Sequence, residues 1–100
     1  MPKLVPSQKF LKDLEKFRSN ASMRKKIAKT LTHLGNNPFH PGLYLERIVN
    51  DPTAWSVRVD RKFRISFDPE DFLLSGNPDW TTSVLLLRFL DHDDLYKFPR

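Results

Sequence analysis

The feature that most constrains this chain is a change of hydrophobic period part-way along it. Up to residue 34 the apolar residues return every three or four positions, and beyond residue 43 they return every second position. The first spacing is one face of a helix and the second is the alternation of a strand. Phe10, Leu14 and Phe17, with Leu11 beside them, make a first helical stripe, and Met23, Ile27, Leu31 and Leu34 make a second. Ser7 is the expected N-cap of the first helix, and Asn20 or Ser22 ends it and caps the next. Gly35 stands where a left-handed C-terminal residue belongs. Residues 7–34 therefore predict a helical hairpin, with lysines and arginines on its outer surface.

The segments around the hairpin read as strands and turns. Lys3-Leu4-Val5-Pro6 predicts a short first strand closed by its proline. Asn36-Asn37-Pro38 and His40-Pro41-Gly42 make a loop. Leu43, Leu45 and Arg47 then alternate with Tyr44 and Glu46, before a turn at Asn50-Asp51-Pro52. Trp55, Val57 and Val59 alternate with Ser56, Arg58 and Asp60, and Phe63, Ile65 and Phe67 with Arg64 and Ser66, which predicts a hairpin turning at residues 60–62. Residues 68–81 are acidic, contain Pro69, Gly76 and Pro78, and read as a long surface loop that Phe72-Leu73-Leu74 docks or that begins a strand there. Residues 82–90 are apolar on both parities apart from Arg88, as in a central strand covered on both faces. The tail, residues 91–100, is polar around Tyr96 and Phe98. Helices followed by a run of strands, without repeats or a linker, predict one α+β domain over residues 1–100.

Composition narrows the class. At 100 residues and 39% hydrophobic, the chain suits one core. No apolar run approaches the roughly 20 residues of a membrane span, and the N-terminus lacks an apolar leader. The absence of cysteine excludes a disulfide framework and a thiolate metal site. A cytoplasmic protein is the expectation. The net charge of +5 is uneven: residues 1–34 carry +7, residues 35–67 carry +2 and residues 68–100 carry −4. A basic N-terminal third suits a polyanion or an acidic protein partner.

Arg58 and Arg64 fall on the parity of their strands that faces away from the helices, with Ser56 and Ser66, and Arg88 interrupts the apolar strand. Three guanidiniums on one face would form a phosphate cradle; the alternative is that each pairs with a carboxylate such as Asp60 or Asp93. After Arg88, His92 and Tyr96 follow at intervals of four. An imidazole exchanges protons near neutral pH, and a phenol can stack on a base or donate a proton. His92-Asp93-Asp94 does not place three metal ligands on one face. His40 is a second imidazole in the 36–42 loop, and His33, beside Leu34, reads as structural. Gly35, Gly42 and Gly76 are too far apart for a phosphate loop. No cofactor is implied.

In order and spacing, the basic helical hairpin, the Asn37-Pro38-Phe39-His40-Pro41-Gly42-Leu43 loop, Trp55-Ser56-Val57-Arg58-Val59, Phe63-Arg64-Ile65-Ser66-Phe67 and the His92-Asp93-Asp94-Leu95-Tyr96 tail resemble the RelE/ParE superfamily of bacterial toxin–antitoxin toxins, most of all its YafQ-like branch. The resemblance covers nearly the whole chain. It implies an N-terminal helical hairpin packed on a twisted antiparallel sheet of about four strands. It implies a metal-independent endoribonuclease that cuts mRNA on the ribosome, with an antitoxin as partner. By position, it implies catalytic roles for Arg88, His92, Tyr96, His40 and Arg64. Arg58, Arg61, Lys62, Lys25, Lys26 and Lys29 are the expected RNA contacts. Ser56 departs from the RelE pattern, Arg58 and Lys62 depart from that of the YafQ-like branch, and the acidic 68–81 insertion is longer than usual. A gyrase-poisoning toxin of the ParE type and a family member that only binds its antitoxin are the competing expectations.

Overall fold

The computed structural model describes residues 2–100. A short strand, β1 (Lys3–Pro6), leads into helices α1 (Gln8–Glu15) and α2 (Ala21–Asn36). A 3-10 turn at Pro41–Leu43 precedes β2 (Glu46–Arg47), β3 (Trp55–Arg58), β4 (Phe63–Pro69), β5 (Ser83–Asp91) and a last helix, α3 (His92–Lys97). The sheet has five strands in the order β1-β5-β4-β3-β2. It is mixed, because β1 runs parallel to β5 while the other neighbours are antiparallel.

The helices begin where short polar side chains can serve the free N–H groups of a first turn. Ser7 Oγ accepts from Phe10 N–H at 3.1 Å and donates to the Leu87 carbonyl at 3.1 Å, which also ties the helix start to β5. Asn20 Oδ1 accepts from Met23 N–H at 3.0 Å. The end of α2 differs from expectation. Gly35 is helical, and the helix runs on to Asn36. The stop is imposed by Pro38, whose ring disfavours the α conformation at the residue before it; Asn37 is extended at φ −162°.

The sheet lies between two apolar layers. On one face Phe10, Met23, Ile27 and Leu34 of the helices pack on Val57, Ile65, Phe67, Val84, Leu86 and Phe89. On the other, Leu95 of α3 packs with Ile48, Ala54 and Leu87. β5 is central and covered on both sides. Its two-sided apolar character has a second cause: the register with β4 shifts between Ser66, opposite Arg88, and Phe67, opposite Leu86. Leu87 is the unpaired extra residue of a β-bulge. Inward positions are therefore even-numbered before it and odd-numbered after it.

Three further expectations are revised. Of residues 43–47 only Glu46 and Arg47 pair as a strand, because the Arg47 guanidinium instead gathers the following loop, donating to the carbonyls of Ala54 at 2.7 Å, Pro52 at 2.8 Å and Asp51 at 3.1 Å. Phe72, Leu73 and Leu74 do not dock the acidic loop but stand exposed, and Trp80 makes the anchor by packing edge-on against Trp55 and Phe39. The polar tail contains a helix, begun by Asp91, whose Oδ1 accepts from Asp94 N–H at 2.9 Å. No helix among the described residues is long and apolar enough to cross a membrane.

Candidate functional site

The sheet face opposite the helical hairpin carries the polar parity of β2, β3 and β4. Glu46 lies opposite Ser56, Ser56 opposite Ser66, and Arg58 opposite Arg64. The alternation of the strands thus lines up a carboxylate, two hydroxyls and two guanidiniums. α3 lays Tyr96 over them. Its phenol donates to a Glu46 carboxylate oxygen in a short contact and lies 3.4 Å from Ser56 Oγ. Burial and the Glu46 hydrogen bond raise the Tyr96 pKa, so the phenol remains protonated and acts as a donor at neutral pH. His92, at the first turn of α3, packs its ring against Tyr96 at 4.6 Å between centroids, with Nδ1 3.4 Å from Asp93. The backbone N–H of His92 donates to the Lys62 carbonyl at 2.7 Å, which sets the helix start against the β3–β4 turn.

Arg64 is half-buried beside this group. One of its terminal nitrogens donates to the Asp60 carbonyl at 2.8 Å, and burial and Arg58 lower its pKa, against the pull of Tyr96, Glu46 and Asp60. The guanidinium nevertheless stays cationic at any working pH. Arg58 lies with its guanidinium 4.3 Å from the centroid of the Tyr44 ring. Tyr44 is the only non-glycine residue with positive φ among those described, at 49°. A left-handed tyrosine is strained backbone, which is held where the surroundings demand it.

Arg88 goes elsewhere. Nε donates to Asp13 Oδ2 at 2.8 Å and a terminal nitrogen to Oδ1 at 3.1 Å, so a carboxylate from α1, not the expected Asp60 or Asp93, takes its fork. Two causes combine: the bulge at Leu87 turns the strand, and β1 ends opposite Leu86, leaving the edge of β5 beyond it open to α1. In place of three converging guanidiniums, two converge. His40 is likewise held apart from His92. Its ring stacks on His33 at 4.0 Å, so His33 is engaged with a loop residue instead of simply filling the helix surface. Both line a cleft with Lys26, Lys29, Arg58 and Asp60. Lys25 turns to the other side of α2, where with Arg18 and Arg24 it rims an apolar groove against Leu11 and Leu14 of α1. Arg61 is exposed in the β3–β4 turn, and Lys62 lies over the Phe63 ring.

Glu46 is the site residue that sequence reasoning did not single out, and Ser56 was placed on the face without a role. The signal was present, since both share the outward parity of Arg58 across adjacent strands. Their meeting with Tyr96 requires the fold of α3, which no periodicity announces.

No family model and no curated protein matches the chain. Solved structures do. A YoeB/ParE toxin from Agrobacterium tumefaciens superposes with TM-score 0.68 at 21% identity, covering 90% of this chain and 98% of that one. The Escherichia coli DinJ–YafQ complex gives TM-score 0.68 at 16% identity over 95% and 98% of the two chains. A copper-bound mutant toxin from Helicobacter pylori gives 0.62 at 19% identity over 95% and 99%. The chain shares the fold of these toxin structures, on a mixed sheet of five strands where about four antiparallel ones were expected.

Proposed function

We propose that the protein is the toxin of a toxin–antitoxin pair and acts as a ribosome-dependent mRNA endoribonuclease. The observation that carries this reading is the group Glu46, Tyr96, Arg64 and Arg58 on one sheet face, with His92 at its margin. Cleavage of RNA by its own 2′-hydroxyl needs a base, cations around the phosphorane and an acid for the leaving oxygen. Glu46 is the base, oriented by the Tyr96 phenol. The 2′-oxygen attacks phosphorus while its proton passes to Glu46, and the P–O5′ bond breaks as His92 gives a proton to the 5′ oxygen. The products are a 2′,3′-cyclic phosphate and a 5′-hydroxyl. Arg64 and Arg58 balance the charge that builds on the phosphoryl oxygens. Arg88 is a positioning residue for α1 and β5. Arg61 and Lys62, exposed in the turn beside His92, and Lys25, Lys26 and Lys29 on α2 are contacts to RNA phosphates.

Two of the similar structures are of proteins named toxins, and one was solved as a two-protein complex, which supports an antitoxin partner. The test is cleavage of a reporter mRNA on purified ribosomes by wild-type protein and Glu46→Gln. A loss of about 10²-fold or more supports the reading. Undiminished cleavage by the variant overturns the assignment of the base, and gyrase inhibition with translation untouched would assign the ParE-type activity instead.

A further inference from the structure

The cleft between α2, the 36–42 loop and the end of β3 has a volume of about 520 Å³ and is unlike the reacting group beside it. It gathers Lys26 and Lys29 from α2, His33 from the same helix, His40 from the loop and Arg58 from β3. Its one carboxylate, Asp60, is already engaged: Oδ1 accepts from the N–H groups of Lys62 at 2.9 Å and Phe63 at 2.7 Å, and Oδ2 pairs with Lys26 at 3.4 Å. Lys29 and Arg58 make no ion pair among the described residues, and Arg58 Nε is buried without a hydrogen-bond partner. The cleft therefore holds uncompensated positive charge.

Gly42 N–H donates to His40 Nδ1 at 3.1 Å, so that nitrogen carries no proton and the ring presents Nε2–H instead. Burial, and after it the nearby Lys29, lower the pKa of His33. Lys26, Lys29 and Arg58 oppose a proton on His33, and only Asp60 favours one. A bound anion would reverse that balance.

We propose that this cleft binds a phosphodiester of an RNA strand, with Lys29, Arg58 and His40 Nε2–H as its contacts, and that His33 takes up a proton as the anion enters. Naming RNA as the source of the phosphate rests on the proposed nuclease function; the oxyanion chemistry of the cleft does not. Arg58, paired with Arg64 across β3 and β4, joins the cleft to the reacting group. A strand held here is anchored beside the bond to be cut.

The experiment follows the ring carbon resonances of His33 and His40 during titration of the whole protein. Two probes that do not titrate near neutrality are used: a 2′-O-methylated uridine trinucleotide, which cannot be cleaved, and sulfate. The trinucleotide is expected to shift both rings and to bind about fivefold to tenfold more tightly near pH 6 than near pH 8. Lys29→Gln weakens it at both pH values, and His33→Gln abolishes the pH dependence while retaining binding near pH 8. Sulfate, with a single charged centre, binds more weakly. Unmoved rings, unchanged affinity in Lys29→Gln, or sulfate binding without trinucleotide binding overturns the proposal. The result is separable from the nuclease reading: trinucleotide binding that survives in Glu46→Gln, with cleavage lost, upholds both, and absent binding with intact cleavage removes the cleft alone.

Discussion

Arg88 and Asp13, 75 residues apart, form a two-pronged ion pair that closes the open edge of β5, and the Asp13 oxygen nearer the strand also accepts from Phe89 N–H at 2.9 Å. The Asp13 side chain is 5% exposed and that of Arg88 19%. The Asp13 hydrogen bond raises the Arg88 pKa, against desolvation. Removing one partner of a largely buried pair strands the other. Asp13→Ala is expected to cost about 3–5 kcal/mol, read by urea denaturation. The paired replacement Asp13→Leu with Arg88→Met should recover much of that loss and keep mRNA cleavage. A stable double variant without cleavage would return Arg88 to the chemistry.

The Tyr96 phenol donates to Glu46, and in the proposed mechanism it contributes no proton to the products. Tyr96→Phe keeps the ring packed against His92 and removes the hydrogen bond to Glu46 and the longer contact with Ser56 Oγ. Single-turnover cleavage should fall by roughly tenfold to 10²-fold, less than in Glu46→Gln, with the melting temperature little changed. Arg64→Lys keeps the charge but loses the fork, and should slow cleavage by about 10²-fold. Equal rates in wild type and Arg64→Lys would remove the arginine from the transition state.

Acid should unfold this protein through Asp51 and Asp60. Burial acts to raise the Asp51 pKa, but hydrogen bonds from Arg100, Thr53 N–H and Ala54 N–H outweigh it and hold the pKa low. For Asp60, burial is likewise outweighed, by Phe63 N–H, Lys62 N–H and Lys26. A carboxylate whose pKa is lower in the folded than in the unfolded chain adds stability above the unfolded value of about 3.9, and loses it as pH falls through the folded value. Melting temperature should therefore drop between about pH 5 and pH 2. Asp51→Asn should cost about 2 kcal/mol at neutral pH and flatten that slope.

Lys25 rims the groove on the far side of α2 from Lys26 and Lys29. If all three touch ribosomal RNA, each single charge removal lowers affinity and reduces the slope of log affinity against log salt by a little under one. Filter binding to ribosomes at several salt concentrations measures this. A slope unchanged in Lys25→Gln would place that lysine off the RNA and leave it to the groove.

The hairpin, the alternating strands and the helix caps at Ser7 and Asn20 were legible because each depends on neighbours close in sequence. Arg58 and Arg64 were legible as a pair for the same reason, since one hairpin puts them opposite each other. The destinations of Arg88 and His40 were not. Each is decided by a partner from another element: Asp13 on α1, reachable only because β1 stops short, and His33 on α2, reachable only once the 36–42 loop folds back. The β1 strand was visible as a segment, but its parallel pairing with β5 is a property of topology.

The tail has a comparable dependence on distant partners. Arg100 holds Asp51 at 2.8 and 3.0 Å and Asp68 at 3.0 Å, while the Pro99 carbonyl accepts from Ser66 Oγ at 2.7 Å. Six-residue α3 is thus fastened just past its end, and Arg100→Ala should loosen Tyr96 as well, raising hydrogen exchange across α3 more than across α2.

The bulge at Leu87 makes that one residue separable from the pleat that surrounds it. Excision of Leu87 would leave Arg88 facing Ser66 and Leu86 facing Phe67, so the ladder on either side would close up in its present alignment. What would go is the leucine beneath Leu95, and with it the seat of the short helix that carries the imidazole and the phenol. A shortened chain of this kind would keep its architecture while its chemistry drifted out of alignment.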